Sequence, residues 1–169
     1  MKRASGNIAL KTLLSELLYL RQTIADLTKE IRRLAHAEEY VENHRLMKSV
    51  IGISTLSAMT FLTELADINR FKNLDKLASY IGLIPDVNGS GEKETNSGIT
   101  SRCNPHLRGI LIEAAWIAVR KDPAIMMAFN QLLPKVSKKV AIVKIARKLL
   151  NRIRYVLKNK QEYVPAVVQ

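Results

Sequence analysis

A regularly spaced series of apolar residues near the N terminus constrains the fold more than any other feature of the sequence. Its members recur at alternating intervals of three and four residues, at Leu10, Leu13, Leu17, Leu20, Ile24, Leu27, Ile31 and Leu34. This spacing aligns them on one side of an α-helix, and neither proline nor glycine occurs between Asn7 and Ile51. The pattern predicts a long helix that either packs on its own domain or pairs as a coiled coil, between chains or with an antiparallel partner helix. The strict seam favours pairing.

The seam breaks down where Glu38 and Arg45 occupy positions that leucines would take. We expect the helix either to continue with a solvated face or to end near Ser49. The sequence therefore predicts two parts, a coiled-coil helix over residues 1–48 and a helical domain over residues 49–169.

The second part has the periodicity of helices joined by turns. Residues 50–85 predict a helix-hairpin-helix-like unit, with a turn at Gly52 and helices over 55–65 and 74–80. Further along, we expect a Ser/Gly-rich loop over 86–106, a helical remainder over 107–160 and a tail over 161–169. No strand-rich segment is evident, so the predicted class is all-α.

Composition narrows the range of functions. Lys and Arg number 27 against 15 Asp and Glu, a formal net charge of +12, which favours a polyanionic partner such as nucleic acid. A single cysteine, Cys103, excludes an internal disulfide and a cysteine-based zinc cluster. No apolar run is long enough to cross a bilayer and no secretion signal is visible, so we expect no membrane partner and a cytoplasmic location.

Two features of the sequence, a glycine turn and a basic helix, are suited to binding phosphate groups. A turn at Gly52 between two helices exposes backbone N–H groups, although an ordinary packing turn has the same composition. The last helix carries Arg147 and Lys148 on a basic face. We predict nucleic-acid contacts at all three residues.

The loop around Ser90 is the candidate for chemistry. Gly89 and Gly91 flank this serine and leave its hydroxyl uncrowded, and Lys93 is close enough to offset charge that develops on a phosphate. Ser90 is therefore a candidate nucleophile. A flexible surface turn has the same composition, and the local sequence alone favours the turn.

Two arginines follow at the start of the next helix. Arg102 and Arg108 lie six residues apart across a turn that opens a helix, an arrangement that suits a phosphate clamp. The alternative is that Arg108 is a solvated residue of the first turn and Asn104 a simple helix cap.

Several stretches, in this order, resemble the C-terminal domain of the insertion-sequence one-hundred-and-ten family of transposases. This family is related to the Piv-type DNA invertases, and its members act as bridge-RNA-guided recombinases. The matching stretches are SVIGIS, ELADINRF, LASYIGLIP, the spaced G-S-G, GITSRCN, LR and ARKLL. The resemblance covers about residues 46–165 and the coiled coil before them.

The resemblance implies a role for each matching position. In this family a serine attacks the DNA backbone and forms a 5′-phosphoserine link, and the matching residue is Ser90. The resemblance further implies DNA and a guide-type structured RNA as partners, and a bacterial, nucleoid-associated protein. The leucine seam predicts a homo-oligomer that forms through the coiled coil. The chain departs from the family pattern at Ile51, Ser54, Glu92, Glu94 and Cys103. A carboxylate at Glu92, beside a serine that faces phosphate, is electrostatically unfavourable.

The family also uses a RuvC-like domain, whose acidic residues bind magnesium. The first 45 residues of this sequence predict a single helix, so we expect neither that domain nor a metal site in the chain. The expected function is a nucleic-acid-binding part of a DNA transposase that is inactive in isolation. The alternative is a non-catalytic DNA- or RNA-binding module, or a regulator, that dimerises through the coiled coil.

Overall fold

The computed structural model describes residues 2–89, 94–99 and 103–165; for residues 2–5, 85–89 and 94–99 it describes the backbone alone. The described helices are α1 (Lys2–Leu34), α2 (Glu38–Ser49), α3 (Thr55–Leu65), α4 (Leu74–Ile81), α5 (Pro105–Lys121), α6 (Pro123–Leu132) and α7 (Lys138–Asn159), with a short 3-10 turn at Ile68–Arg70. Two short strands, β1 (Pro85–Gly89) and β2 (Glu94–Ile99), lie between α4 and α5. The predicted all-α class is confirmed.

Helix α1 extends from the rest of the protein as an arm. Its seam leucines are exposed, Leu13 by 62% and Leu27 by 59%, and only near its C-terminal end does Ile31 pack against the core. The arm contacts α3. The long helix is confirmed, whereas pairing through the seam stays a prediction.

The prediction of one uninterrupted helix over residues 1–48 is wrong, because the chain turns at residues 35–37. Ala35 is completely buried at this turn, and Ala37 adopts an extended conformation before α2. Arg32 and Arg33 end α1, and Glu38 and Glu39 begin α2, so each charge complements its helix dipole. The turn contains neither glycine nor proline, which is why the sequence did not reveal it.

Helix α2 belongs to the packed domain. Its His44, Leu46 and Met47 are buried, and the helix contacts α3 and α7. The packed core thus begins at Ala35, ahead of the boundary predicted at residue 48.

Helix α7 runs through the centre of the core. It contacts α2, α4, α5 and α6. Its buried side chains recur at helical spacing: Ala141, Ile142, Ile145, Ala146, Leu149, Leu150, Ile153, Val156 and Leu157. Beside it, Trp116 of α5 and Phe129 of α6 meet edge to face, with ring centroids 5.7 Å apart. The amphipathic last helix predicted from the sequence is therefore the main packing surface of the domain.

The two strands revise the expected irregular loop. Their backbones pair antiparallel, with Val87 opposite Asn96 and Gly89 opposite Glu94, and the register shifts between Pro85 and Val87. The hydrogen bonds between strands are made by backbone groups, so a Ser/Gly-rich composition that indicates a loop also permits two short paired strands. We call the strand pair β1 and β2 the serine hairpin, because Ser90 lies between them in the sequence.

The turn at Gly52 packs against α5. Gly52 has a φ of +95°, and a Cβ built on it would lie 2.4 Å from the Ala114 carbonyl oxygen. Both the backbone conformation and the close approach therefore require glycine. The helices expected on either side of the polar turn are present as α3 and α4, with bounds close to those predicted. The structure gives Gly52 a packing role, and contact with phosphate there stays a prediction.

Asp122 is the centre of a buried polar cluster that holds the C-terminal segment. Its carboxylate accepts hydrogen bonds from the backbone N–H groups of Ala124 and Ile125, at 3.0 and 3.1 Å, and so caps α6. It also accepts from Arg152 Nη1 at 2.7 Å and from the Tyr163 hydroxyl at 2.5 Å. The described part of the predicted tail is thus tied to the domain through Tyr163.

The partners of Asp122 decide its protonation. Burial alone would raise its pKa, but hydrogen bonds from Tyr163 and from the Ile125 N–H, together with the Arg152 charge, hold the pKa below its usual value. Burial and the bond to Asp122 raise the pKa of Tyr163 to about 12. The carboxylate is therefore ionised and the phenol neutral across the physiological range.

Replacing Gly52 with alanine should destabilise the domain. We expect Gly52→Ala to lower the free energy of unfolding by at least about 2 kcal/mol, because alanine is strained at positive φ and its Cβ overlaps Ala114. The matched control is Gly109→Ala on α5, where a Cβ meets nothing within 4 Å. This control should gain about 0.5–1 kcal/mol through helix propensity. Urea unfolding followed by circular dichroism measures both changes, and equal effects would contradict this account of the turn.

Removing the Tyr163 hydroxyl should destabilise the domain in a pH-dependent way. We expect Tyr163→Phe to cost about 1.5–3 kcal/mol at neutral pH, because a buried carboxylate loses a hydrogen bond. The folded-state pKa of Asp122 is lowered, so this contribution is complete above the unfolded value of about 4. It is lost as the pH falls through the lower folded-state value. Tyr155→Phe, at an exposed hydroxyl on α7, should change stability by less than about 0.5 kcal/mol. A cost for Tyr163→Phe that does not decrease in acid would contradict the role of Asp122.

Candidate functional site

The chain entering the serine hairpin is anchored to α4 and α7. Gly82 ends α4 in the left-handed conformation, with a φ of +82°, and Leu83 is buried directly after it. Arg147 of α7 spans this point. Its Nη2 donates to Asp75 Oδ1 at 2.5 Å, and its Nη1 lies 3.5 Å from the Leu83 carbonyl oxygen.

The chain leaving the serine hairpin is anchored by Asn104. The Asn104 backbone N–H donates to the Tyr80 carbonyl at 2.9 Å, and Nδ2 donates to Glu64 Oε2 at 2.8 Å. Its Oδ1 accepts from the Leu107 N–H at 3.1 Å and caps α5. One side chain therefore joins the segment after the serine hairpin to the end of α3 and the start of α5.

Gly82 and Cys103 bring the two ends of this segment together. A Cβ on Gly82 would lie 2.5 Å from Cys103 Sγ and 3.2 Å from Arg108 Nη1. Glycine at this position thus permits direct packing between the entering and leaving chains. Arg108 lies at the same place, at the base of the serine hairpin.

An open cleft of about 580 Å³ lies beside this base, lined by Ser79, Tyr80, Cys103, Asn104 and Pro105. Arg70 stacks nearby, with its guanidinium carbon 4.5 Å from the Phe71 ring centroid and 5.0 Å from that of Tyr80. The Arg70 Nη2 also donates to the Glu64 carbonyl at 3.3 Å. A planar cation is therefore held rigidly beside the cleft.

The structure unites some predicted site residues and separates others. Arg108 and Arg147 both lie at the base of the serine hairpin. Ser90, Lys93 and Arg102 lie outside the described residues. Lys148 is exposed on α7, and Gly52 packs on α5.

Sequence reasoning missed Arg70 and the anchoring role of Asn104. Arg70 stands in the stretch ELADINRF, where an arginine beside an aromatic residue was the available signal. The helix cap predicted at Asn104 is confirmed. Its second bond, to Glu64, joins residues forty positions apart in the chain, and no local pattern indicates such a contact.

Across residues 6–84 and 103–165, whose side chains are described, no group of three or more His, Cys, Asp or Glu is placed to bind a metal ion. Within the described ranges, no helix has the length and apolar character that crossing a bilayer requires.

The chain is similar in sequence to known transposases. The family model described as "Transposase IS116/IS110/IS902 family" matches residues 44–131, from α2 to α6. The transposase for insertion sequence element IS1111A of Coxiella burnetii is 33% identical over 111 residues, which is 66% of this chain and 30% of the relative.

Two other relatives extend the comparison. The insertion element IS116 uncharacterized 44.8 kDa protein of Streptomyces clavuligerus is 25% identical over 152 residues, 89% of this chain and 37% of the relative. The probable family 20 transposase of Pseudomonas aeruginosa is 31% identical over 111 residues, 66% of this chain and 32% of the relative. The chain thus spans about a third of the length of these relatives. Because the family model covers more than half of it, the chain belongs to the IS116/IS110/IS902 family of transposases.

Proposed function

We propose that this chain is the serine-bearing, nucleic-acid-binding C-terminal part of a DNA transposase. The observation that carries the proposal is the anchoring of both ends of the serine hairpin beside Arg108 and Arg147. A nucleophile needs a fixed approach to its target, and a hairpin whose flanking residues are tied to four helices provides that better than a free loop.

In the proposed reaction, the Ser90 hydroxyl oxygen attacks a phosphorus atom of the DNA backbone. A phosphoserine ester forms at the 5′ side, the hydroxyl proton is lost, and the 3′ oxygen leaves and takes up a proton. Lys93, Arg102 and Arg108 offset the negative charge that develops on the phosphoryl oxygens. The resemblance implies magnesium as well, which carboxylates of a RuvC-like domain would bind.

The partners of the proposed function are DNA and a guide-type structured RNA. The net charge of +12 supports a polyanionic partner. Gly52, Arg147 and Lys148 are the further residues proposed to contact phosphates. The Arg147 guanidinium already bonds Asp75, so it is fixed in position rather than free to follow a ligand.

Helix α1 is proposed to join two copies of the chain. Its leucine seam is exposed over most of its length, and such a surface is stable when it is buried in a coiled coil. Pairing would bring two serine hairpins into one assembly, in a bacterial cytoplasm and associated with the nucleoid.

A second candidate is a binding module or regulator without chemistry. Glu92 favours it, because a carboxylate two positions from Ser90 repels a phosphate. This module would bind nucleic acid and dimerise through α1, but Ser90 would be an ordinary hairpin residue.

Binding to duplex DNA should weaken steeply as the salt concentration rises, and Lys93, Arg102 and Arg108 should account for part of that dependence. We expect the variant Lys93→Ala, Arg102→Ala, Arg108→Ala to reduce the slope of log K against log salt by about 2–3, since each lost phosphate contact removes about 0.9. Fluorescence anisotropy with a labelled duplex at several salt concentrations measures this slope.

The matched control removes equal charge from the arm. Lys11→Ala, Lys29→Ala, Arg32→Ala should leave the slope nearly unchanged, because these exposed residues lie on α1. Equal salt slopes for both triple variants would show that Lys93, Arg102 and Arg108 do not contact the DNA phosphates. A parent chain that forms oligomers but binds no nucleic acid would contradict the proposed function and leave α1 as the functional element.

A further inference from the structure

The outer face of α7 carries positive charge without any compensating carboxylate on the same helix. Residues Lys138–Asn159 include eight Lys or Arg and no Asp or Glu. Five residues at successive helical turns lie on one exposed side: Lys144, Lys148, Asn151, Tyr155 and Lys158. We call these five residues the α7 stripe.

Five of the eight cations of α7 fall into two groups. Arg147 and Arg152 bond Asp75 and Asp122, so they hold the domain together. Within the described part of the chain, Lys144, Lys148 and Lys158 form no ion pair and are exposed. Lys144 and Lys148 are one turn apart, where like charges destabilise a helix slightly. An external polyanion would relieve that repulsion.

Tyr155 distinguishes this stripe from an ordinary solvated face. Its side chain is 57% exposed, although it stands between Lys148 and Lys158 on the polar side of the helix. Its hydroxyl donates to Gln161 Oε1 at 3.2 Å, which links the ring to the segment after α7. An exposed aromatic ring between lysines provides a stacking surface among phosphate-binding charges.

We propose that the α7 stripe binds a single strand of nucleic acid, with its lysines on backbone phosphates along the strand and an unpaired base stacked on Tyr155. A single strand fits better than a duplex, because paired bases have no face available for stacking on the ring. The stripe extends about 21 Å from Lys144 to Lys158 at 1.5 Å per residue. This inference rests on the proposed function and adds to it a specific surface and an unpaired strand.

The lysines are tested through the salt dependence of binding. We measure binding of the 169-residue chain to a labelled single-stranded oligonucleotide and to the same sequence as a duplex. Lys144→Gln, Lys148→Gln, Lys158→Gln should reduce the single-strand slope of log K against log salt by about 2, at about 0.7 per phosphate. The control Lys72→Gln, Lys121→Gln, Lys135→Gln changes exposed lysines outside α7 and should leave the slope within about 0.5 of the parent value.

Tyr155 is tested separately from charge. Tyr155→Ala should weaken single-strand binding by about 5- to 100-fold with an unchanged salt slope, whereas Tyr155→Phe should keep the parent affinity. Duplex binding should change little in either variant. Circular dichroism confirms that each variant remains folded, as expected for an exposed position.

The outcomes separate this inference from the proposed function. A parent chain that binds neither oligonucleotide contradicts both. A parent chain that binds, with the stripe variant matching its lysine control or Tyr155→Ala matching Tyr155→Phe, overturns only the α7 stripe. Binding to anionic vesicles or to polyglutamate as tight as binding to the single strand also overturns it, because the stripe would then recognise charge alone.

Discussion

The central packing of α7 is the constraint on which the rest of the structure depends. One face of this helix is buried among α2, α4, α5 and α6, so its position fixes theirs. The same helix supplies Arg147 to the entering chain of the serine hairpin and Arg152 to the buried carboxylate of Asp122. Because close-packed cores deform little, the hairpin, the start of α6 and the C-terminal segment are placed by one rigid element.

This arrangement separates two uses of positive charge. Arg147 pairs with Asp75 and Arg152 pairs with Asp122, and both ion pairs contribute to the fold. The exposed lysines of the α7 stripe are available to a polyanion. Arginine is suited to the first use because its planar guanidinium makes several directed hydrogen bonds, and lysine to the second because it is a flexible point charge. In the proposed transposase, the same helix would support the serine hairpin and guide a strand.

Much of the fold follows from periodicity and a few boundary residues. The bounds of α3 and α4 and the amphipathic character of α7 were predicted from local patterns. The turn at residues 35–37 was not, because it depends on the burial of Ala35 by tertiary packing. The hairpin pairing was hidden by a composition typical of loops. Tyr163 was assigned to a free tail, since its bond to Asp122 connects distant parts of the chain.

The candidate site, like the fold, was predicted where local patterns sufficed and missed where tertiary packing decides. Arg108 was predicted from its place at the start of a helix and Arg147 from the basic face of the last helix, and the structure brings both to the base of the serine hairpin. Glu64, Arg70 and Tyr80 were not predicted, because only the packing of α3 against α4 and α5 gives them a shared location. Gly52 illustrates an ambiguity of sequence patterns, since a glycine turn that suits phosphate also suits close contact with a neighbouring helix.

The central claim is that the anchored hairpin carries the nucleophile, and covalent capture tests it most directly. A full-length family transposase containing this segment is incubated with its DNA and guide RNA, denatured, digested with protease and nuclease, and analysed by mass spectrometry. The account predicts a nucleotide linked through its phosphate to Ser90. This adduct should be absent after Ser90→Ala and retained after the control Ser97→Ala, which changes a serine of β2. A DNA link at any other residue, or one that persists after Ser90→Ala, would contradict it.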